Sequence, residues 1–264
     1  MSASGVITLL TDFGEQDPFV GVMKGVILAR NPAARLVDLT HQIEPQCVAA
    51  GAFWLGEAFG YFPPGSVHVA VVDPGVGSPR AALVLEALGH VFVGPDNGIF
   101  ERVTARAGSV RSFHVDLDRA GLGNVSRTFH GRDVFAPVAA ELSRGVAPEA
   151  LAVPGPVSPS ALVPEPRWSG GELTGEVIVV DRFGNLVTNL TPRDWPVGAR
   201  PALWCGAQKL EFFGTFAELP PDGAGAIVGS FGHVELCARN ASAKQRLGAQ
   251  RGSPVRVSFE RVST

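Results

Sequence analysis

Two kinds of periodicity divide the chain. In its first half, short β-prone apolar runs alternate with segments whose apolar positions recur every three or four residues, the habit of a mainly parallel sheet flanked by helices. Strands are predicted over 6–11, 35–39, 67–72, 82–88 and 91–94. Val48, Ala49, Ala52, Phe53, Leu55, Ala58 and Phe59 fall on one helical face and stop before Pro63-Pro64-Gly65, so 48–59 is predicted as a buried-face helix. Helices are also predicted over 19–30, ending before Asn31-Pro32, and over 133–144, ending at Gly145.

The pattern changes where Pro154, Pro156, Pro159, Pro164 and Pro166 crowd together, because proline excludes helix and favours extended chain. Beyond them the runs 176–180, 186–190, 202–205, 209–213, 226–228, 234–238 and 255–259 are short, β-prone and punctuated by Gly, Pro and Asp, which predicts a small antiparallel barrel or sandwich. The expected organisation is an α/β N-terminal domain over 1–153, a proline-rich linker over 154–168 and a β domain over 169–264.

Composition narrows the function. With 264 residues, 45% of them hydrophobic and 18% charged, the chain has enough apolar side chain for full cores. A formal charge of -3, without a dense basic block, argues against nucleic acid or an anionic membrane as partner. The start lacks a basic n-region, and its apolar run stops at Thr11-Asp12. The cytoplasm is therefore the expected compartment, and no transmembrane helix is expected. Cys47, Cys205 and Cys237 are odd in number and widely spaced, which predicts buried free thiols rather than a disulfide or zinc framework.

The candidate chemistry sits at strand ends. Thr11-Asp12-Phe13-Gly14 copies a kinase tripeptide, but the glycine loop, strand lysine and catalytic loop of a kinase are missing. Asp12 lies where open α/β sheets bind ligands and can accept both hydroxyls of a ribose, although a turn-capping role fits it equally. After the third strand, Val72-Asp73-Pro74-Gly75-Val76-Gly77-Ser78-Pro79-Arg80 puts an acid, two glycines and an arginine in one loop, with Asp73 and Arg80 able to pair across it. The same loop resembles the start of a methyltransferase glycine loop, but Pro79 stands in place of its third glycine. Gly94-Pro95-Asp96-Asn97-Gly98 reads as a turn. In Thr128-Phe129-His130-Gly131-Arg132-Asp133-Val134-Phe135-Ala136-Pro137, the proline marks a helix start. Asp133 is thus the expected cap, with His130 just outside it, where the helix dipole favours a neutral ring. No histidine has the close His, Cys or carboxylate spacing of a metal site. Asp181-Arg182-Phe183-Gly184-Asn185 and Gly229-Ser230-Phe231-Gly232 read as turns, the first with an exposed aromatic.

Taken in order, these six blocks, from Thr11-Asp12-Phe13-Gly14 to Gly229-Ser230-Phe231-Gly232, resemble the S-adenosylmethionine hydrolase or hydroxide adenosyltransferase family, relatives of the fluorinase and chlorinase. The resemblance covers about residues 6–260. It implies a β-barrel as the second domain, and a homotrimer with sites between one subunit's N-terminal domain and its neighbour's C-terminal domain. It implies water activation by Asp73, Arg80 and His130, and ribose binding by Asp12. The remaining substrate contacts it implies are Asp181 for the methionine amine, Asn185 for adenine, and Phe183, Ser230 and Glu235. Displacement of methionine sulfur from a sulfonium leaves a neutral thioether, so the leaving group needs no proton and only water must be prepared. That chemistry calls for no metal and no cofactor. Other readings stand beside it: a halide-dependent adenosyltransferase, a methyltransferase, and a non-catalytic nucleoside sensor. An intact Asp73, Arg80 and His130 weighs against the sensor. The halogenases also resemble one another in an extra loop that the segment after Gly98 lacks.

Overall fold

The structure is a computed structural model that describes residues 2–260. Met1 and residues 261–264, the outer ends of the two expected domains, lie outside the described residues. The chain divides between Leu162 and Val163 into two compact units.

The first unit runs through β1 (Val6–Thr11), α1 (Phe19–Arg30), β2 (Arg35–Thr40), α2 (Val48–Ala58), β3 (Val67–Val71), β4 (Ala82–Ala87), β5 (His90–Pro95), α3 (Glu101–Arg106), β6 (Arg111–Val115), α4 (Ala136–Ser143) and β7 (Ala152–Pro154). Its sheet has the order β2-β1-β3-β5-β4-β6-β7. The β2-β1-β3-β5 half is parallel and the rest antiparallel. The change of direction has a local cause: β4 and β5 are joined by only Leu88-Gly89, both at positive φ (51° and 82°), the geometry of a tight hairpin turn. β1 is buried along its whole length because helices cover both faces. Ile7 and Leu9 pack with Met23 and Ile27 of α1 and with Val138 and Ala139 of α4. On the other face, α2 brings Gly51 against the side chains of Leu10, Val72 and Ile99.

Connection α1 leads from β1 to β2 on one side, and α2 leads from β2 back past β1 to β3 on the other. The winding therefore reverses between β1 and β3, and the crevice at their carboxyl ends is the place where such sheets receive ligands. The short elements α3, β6 and β7 add to the predicted set. The proline-rich stretch carries no helix. Gly155 N–H bonds to Ser112 O, Ser158 N–H to Asp96 and Leu162 N–H to Glu101.

The second unit comprises β8 (Arg167–Ser169), β9 (Glu172–Val180), β10 (Leu186–Thr188), β11 (Arg200–Cys205), β12 (Gln208–Leu210), β13 (Ala224–Val228), β14 (Val234–Ala238), α5 (Ala243–Leu247) and β15 (Pro254–Glu260). All its ladders are antiparallel, in the order β12-β11-β15-β9-β10-β14-β13, with β8 added beside β9. Bonds from Phe213 N–H to Ala226 O and from Ala226 N–H to Glu211 O bring the chain after β12 onto β13, so the sheet nearly closes into a barrel. Leu173, Val177, Leu186, Leu203, Leu236, Val255 and Val257 fill it. Cys47, Cys205 and Cys237 are buried and free. No helix among the described residues is long and apolar enough to cross a membrane.

Candidate active site

Parallel pairing of β1 with β3 sets Thr11 beside Val71, so Asp12 and Asp73 leave the sheet at the same edge, at the reversal point. The loop after β3 folds back through Val76 N–H to Asp73 O and Ser78 N–H to Gly75 O. Gly77 takes φ 79°, and a Cβ there would stand 2.4 Å from Arg127 O, so only glycine lets this loop seat on the segment before His130. The fold returns Arg80 onto Asp73. Its Nε donates to Oδ1 at 2.7 Å and its Nη2 donates to Oδ2, a bidentate pair whose side chains are almost entirely buried. Phe135 lies under the guanidinium at 5.6 Å.

His130 completes the cluster from the far side, with Nδ1 3.1 Å from Arg80 Nη2. A guanidinium only donates, so Nδ1 accepts, and the proton of the neutral ring is assigned to Nε2. Burial first, then the Arg80 charge, holds the imidazole below its ordinary pKa, against the opposing pull of Asp73 and Asp133. The structure corrects the expected cap. Helical winding already includes His130, with Asp133 N–H bonded to Phe129 O, and a wide turn follows from Gly131 through Phe135, where Ala136 N–H reaches back five residues to Gly131 O. Pro137 has no N–H to continue an ordinary ladder, which accounts for the wide turn just before it. Asp133 lies inside this turn, and its carboxylate accepts the Ser126 N–H at 2.8 Å and the Arg132 guanidinium instead of capping a helix.

Asp12 accepts the Gln46 N–H at 2.8 Å. Its neighbour Phe13 packs edge-on against Phe19 and Phe129, so the Asp12 and His130 loops share one aromatic contact. Asn97, read from the sequence only as part of a turn, donates its Nδ2 to Val72 O at 2.9 Å and so fixes the residue before Asp73. The one signal for it was a polar residue in the turn that follows β5.

In the second unit, the turn between β9 and β10 is organised by Asp181. Its Oδ1 accepts from Phe183 N–H at 2.9 Å and Asn185 N–H at 2.8 Å, and its Oδ2 from Asn185 Nδ2 at 2.8 Å. Phe183 is thereby thrust out, 80% exposed, while Asn185 is buried. Glu235, on β14 opposite Val187, is also buried; burial first, then the Asp181 charge, raises its pKa. Ser230 stands exposed in the turn that Gly232 N–H closes on Gly229 O. Phe183 and Asn185 line a cleft of about 770 Å³ together with Phe216, Arg239 and Asn240, three residues that sequence reasoning missed. Phe216 opens a short helical turn and Arg239 follows β14, and their approach to Phe183 depends on barrel closure, which no local pattern encodes. Among the described residues, no group of three or more His, Cys, Asp or Glu is placed to hold a metal ion.

Known proteins resemble this chain over both of its units. A (R)-S-adenosyl-L-methionine hydrolase of Thermus thermophilus is 40% identical over 95% of this chain and 98% of its own length. One from Salinispora tropica is 39% identical over 97% and 99%. A fluorinase of an Actinoplanes species is more distant, 26% identical over 74% and 75%. A crystal structure of a conserved protein from Thermotoga maritima superposes with a TM-score of 0.86 at 31% identity, covering 96% of this chain and 99% of that one. The family profile of the SAM hydroxide adenosyltransferase N-terminal domain matches residues 7–152, and that of the C-terminal domain matches residues 175–256. Together these matches span most of both units, and the chain belongs to the SAM hydroxide adenosyltransferase family.

Proposed function

We propose that this protein hydrolyses S-adenosyl-L-methionine to adenosine and L-methionine. The carrying observation is the part-buried Asp73–Arg80–His130 cluster at the carboxyl edge of the parallel strands. Water attacks C5′ as the C5′–S bond breaks, and the bonding pair leaves with sulfur to give the neutral thioether of methionine. Asp73 takes the proton that water sheds, directly or through the network, since each of its oxygens keeps a lone pair beyond its bond to Arg80. Arg80 holds the carboxylate in place, and His130 orients the water with its Nε2–H. Asp12 binds the ribose hydroxyls. In the barrel, Phe183 and Asn185 hold the adenine, and Asp181, Ser230 and Glu235 hold the methionine end. The reaction needs no cofactor.

The groups for one substrate are divided between two units, which supports a homotrimer whose sites join the first unit of one copy to the second unit of the next. The proposed compartment is the cytoplasm, in keeping with three free buried cysteines.

Incubation with S-adenosyl-L-methionine in heavy-oxygen water tests the reading. Label in the 5′-hydroxyl of adenosine, unlabelled methionine, and no diversion by added chloride or fluoride are expected. A 5′-halo-5′-deoxyadenosine as main product overturns hydrolysis in favour of halogenation, S-adenosylhomocysteine points to methyl transfer, and binding without turnover points to a sensor.

A further inference from the structure

The loop that joins β2 to α2 is bonded along its length to the end of β1. Gly14 N–H donates to His41 O at 2.8 Å, Ile43 N–H to Thr11 O at 3.4 Å, and Gln46 N–H to Asp12 Oδ2 at 2.8 Å. Gln46 makes its bond from a left-handed backbone, φ 66°, which side chains disfavour and which persists where the surroundings enforce it. At the start of the loop stands His41, only 2% exposed. Its Nδ1 lies 2.9 Å from Thr11 Oγ1, and the same hydroxyl oxygen accepts Phe13 N–H at 3.2 Å. Its Nε2 lies 3.1 Å from Asp38 Oδ1, in poor alignment, and Asp38 Oδ2 takes Lys24 Nζ at 2.6 Å.

For a neutral imidazole these contacts have one consistent assignment. A carboxylate facing Nε2 places the imidazole proton there, so Nδ1 accepts the Thr11 hydroxyl proton, and the hydroxyl's lone pair is left for Phe13 N–H. Both residues that flank Asp12 are then fixed through a single hydroxyl, which His41 orients. The sequence offered His41 only as a lone histidine without metal-site spacing, and the hydrolytic chemistry above makes no use of it.

We propose that His41, aligned by Asp38, is a positioning residue for nucleoside recognition: it fixes the Thr11 hydroxyl and so aims the Asp12 carboxylate at the 2′,3′-diol of the substrate ribose. The proposal rests on Asp12 being the ribose-binding group. Two vicinal hydroxyls can donate together to one carboxylate only when its plane is set, and Gln46 alone fixes one of the two oxygens. His41 acts entirely through Thr11, since it is sealed from solvent.

Calorimetric titration of adenosine and of 2′,3′-dideoxyadenosine into the full-length protein and its variants tests this, with steady-state kinetics alongside. His41→Leu is expected to weaken adenosine about tenfold, the size of one lost hydrogen bond, and to leave the dideoxynucleoside within about twofold. KM for S-adenosyl-L-methionine should rise by a similar factor, with kcat within about threefold. His41→Asn, which keeps an acceptor near the Nδ1 position, should restore most of the adenosine affinity. Thr11→Val removes the same link without touching the histidine, so it gives the same loss of discrimination even where His41→Leu does not fold. Equal weakening of both nucleosides, or no weakening of adenosine, overturns the positioning role. Loss of discrimination in Asp12→Ala but not in the His41 and Thr11 variants overturns it alone. Discrimination retained in Asp12→Ala overturns the ribose reading as well.

Discussion

At the scale of single residues, the decisive feature is that one guanidinium serves two partners. Arg80 holds both Asp73 oxygens and meets His130 Nδ1, so the carboxylate and the imidazole cannot move independently. Replacing Asp73 by Asn keeps the shape but removes the proposed proton acceptor. Single-turnover kinetics should show kcat lower by about 10² to 10⁴, with a smaller change in substrate affinity. An affinity loss with unchanged turnover would contradict the role. His130 makes a pH prediction. Its pKa is depressed by burial and by Arg80, so the ring takes up a proton only as pH falls below its ordinary value of about 6.5, and is neutral above it. Activity should therefore show no His130-linked fall between pH 7 and 8, and an NMR titration should find the ring uncharged at pH 7. Asp73 and Arg80 were legible in the sequence because one short loop carries both. Nothing in the spacing brings in His130, which lies fifty residues beyond Arg80, and only the resemblance placed it. Asn97 and His41 act through backbone and hydroxyl groups, and a sequence shows neither.

At the scale of elements, the six-residue strands β1 and β5 were legible because strands buried on both faces read as nearly continuous apolar runs. The helices α1 and α2 were legible because proline-bearing segments stop them. The short elements β6, β7 and β8 were not, since three to five residues leave no period to count, and their pairing partners are distant in sequence. The parallel strands also conceal a polar chain. Thr8 Oγ1 lies 2.7 Å from His68 Nδ1, and His68 Nε2 lies 3.1 Å from His90 Nδ1, across β1, β3 and β5 and beneath the rings of Phe59 and Phe92. Burial, with a smaller contribution from His90, lowers the His68 pKa to about 3. The unfolded chain binds that proton near pH 6.5, so the stabilisation is full above about 6.5 and is lost as pH falls toward 3. Between pH 7 and pH 5 the loss from His68 alone is about 2 kcal/mol, in a window where few carboxylates titrate. Urea unfolding at the two pH values should show this slope in the unaltered protein and a shallower one in His68→Gln. Equal slopes would place the titration elsewhere.

At the scale of the whole molecule, each unit has a core of its own, and the residues of the proposed site fall in both. Asp73, Arg80, His130 and Asp12 belong to the first unit, and Asp181, Phe183, Asn185, Ser230 and Glu235 to the second. The change in periodicity at the prolines made two units legible, but a local pattern cannot say whether the halves of one site come from one chain or from two. A mixing experiment decides it. Asp73→Asn spoils only sites that use its first unit, and Asp181→Ala only those that use its second. If sites form head to tail between copies of a ring, an equal mixture dissociated and reassembled at random contains sites whose first unit comes from the second variant and whose second unit comes from the first. Each choice has a probability of one half, so about one quarter of the sites are intact, and the mixture recovers about a quarter of the unaltered activity although neither variant has much alone. Sites confined within single chains recover nothing on mixing, because every chain then carries one defect. Light scattering on the same samples should show the assembled species wherever activity returns. A fully active monomer, or a mixture no more active than its parts, would refute the shared site.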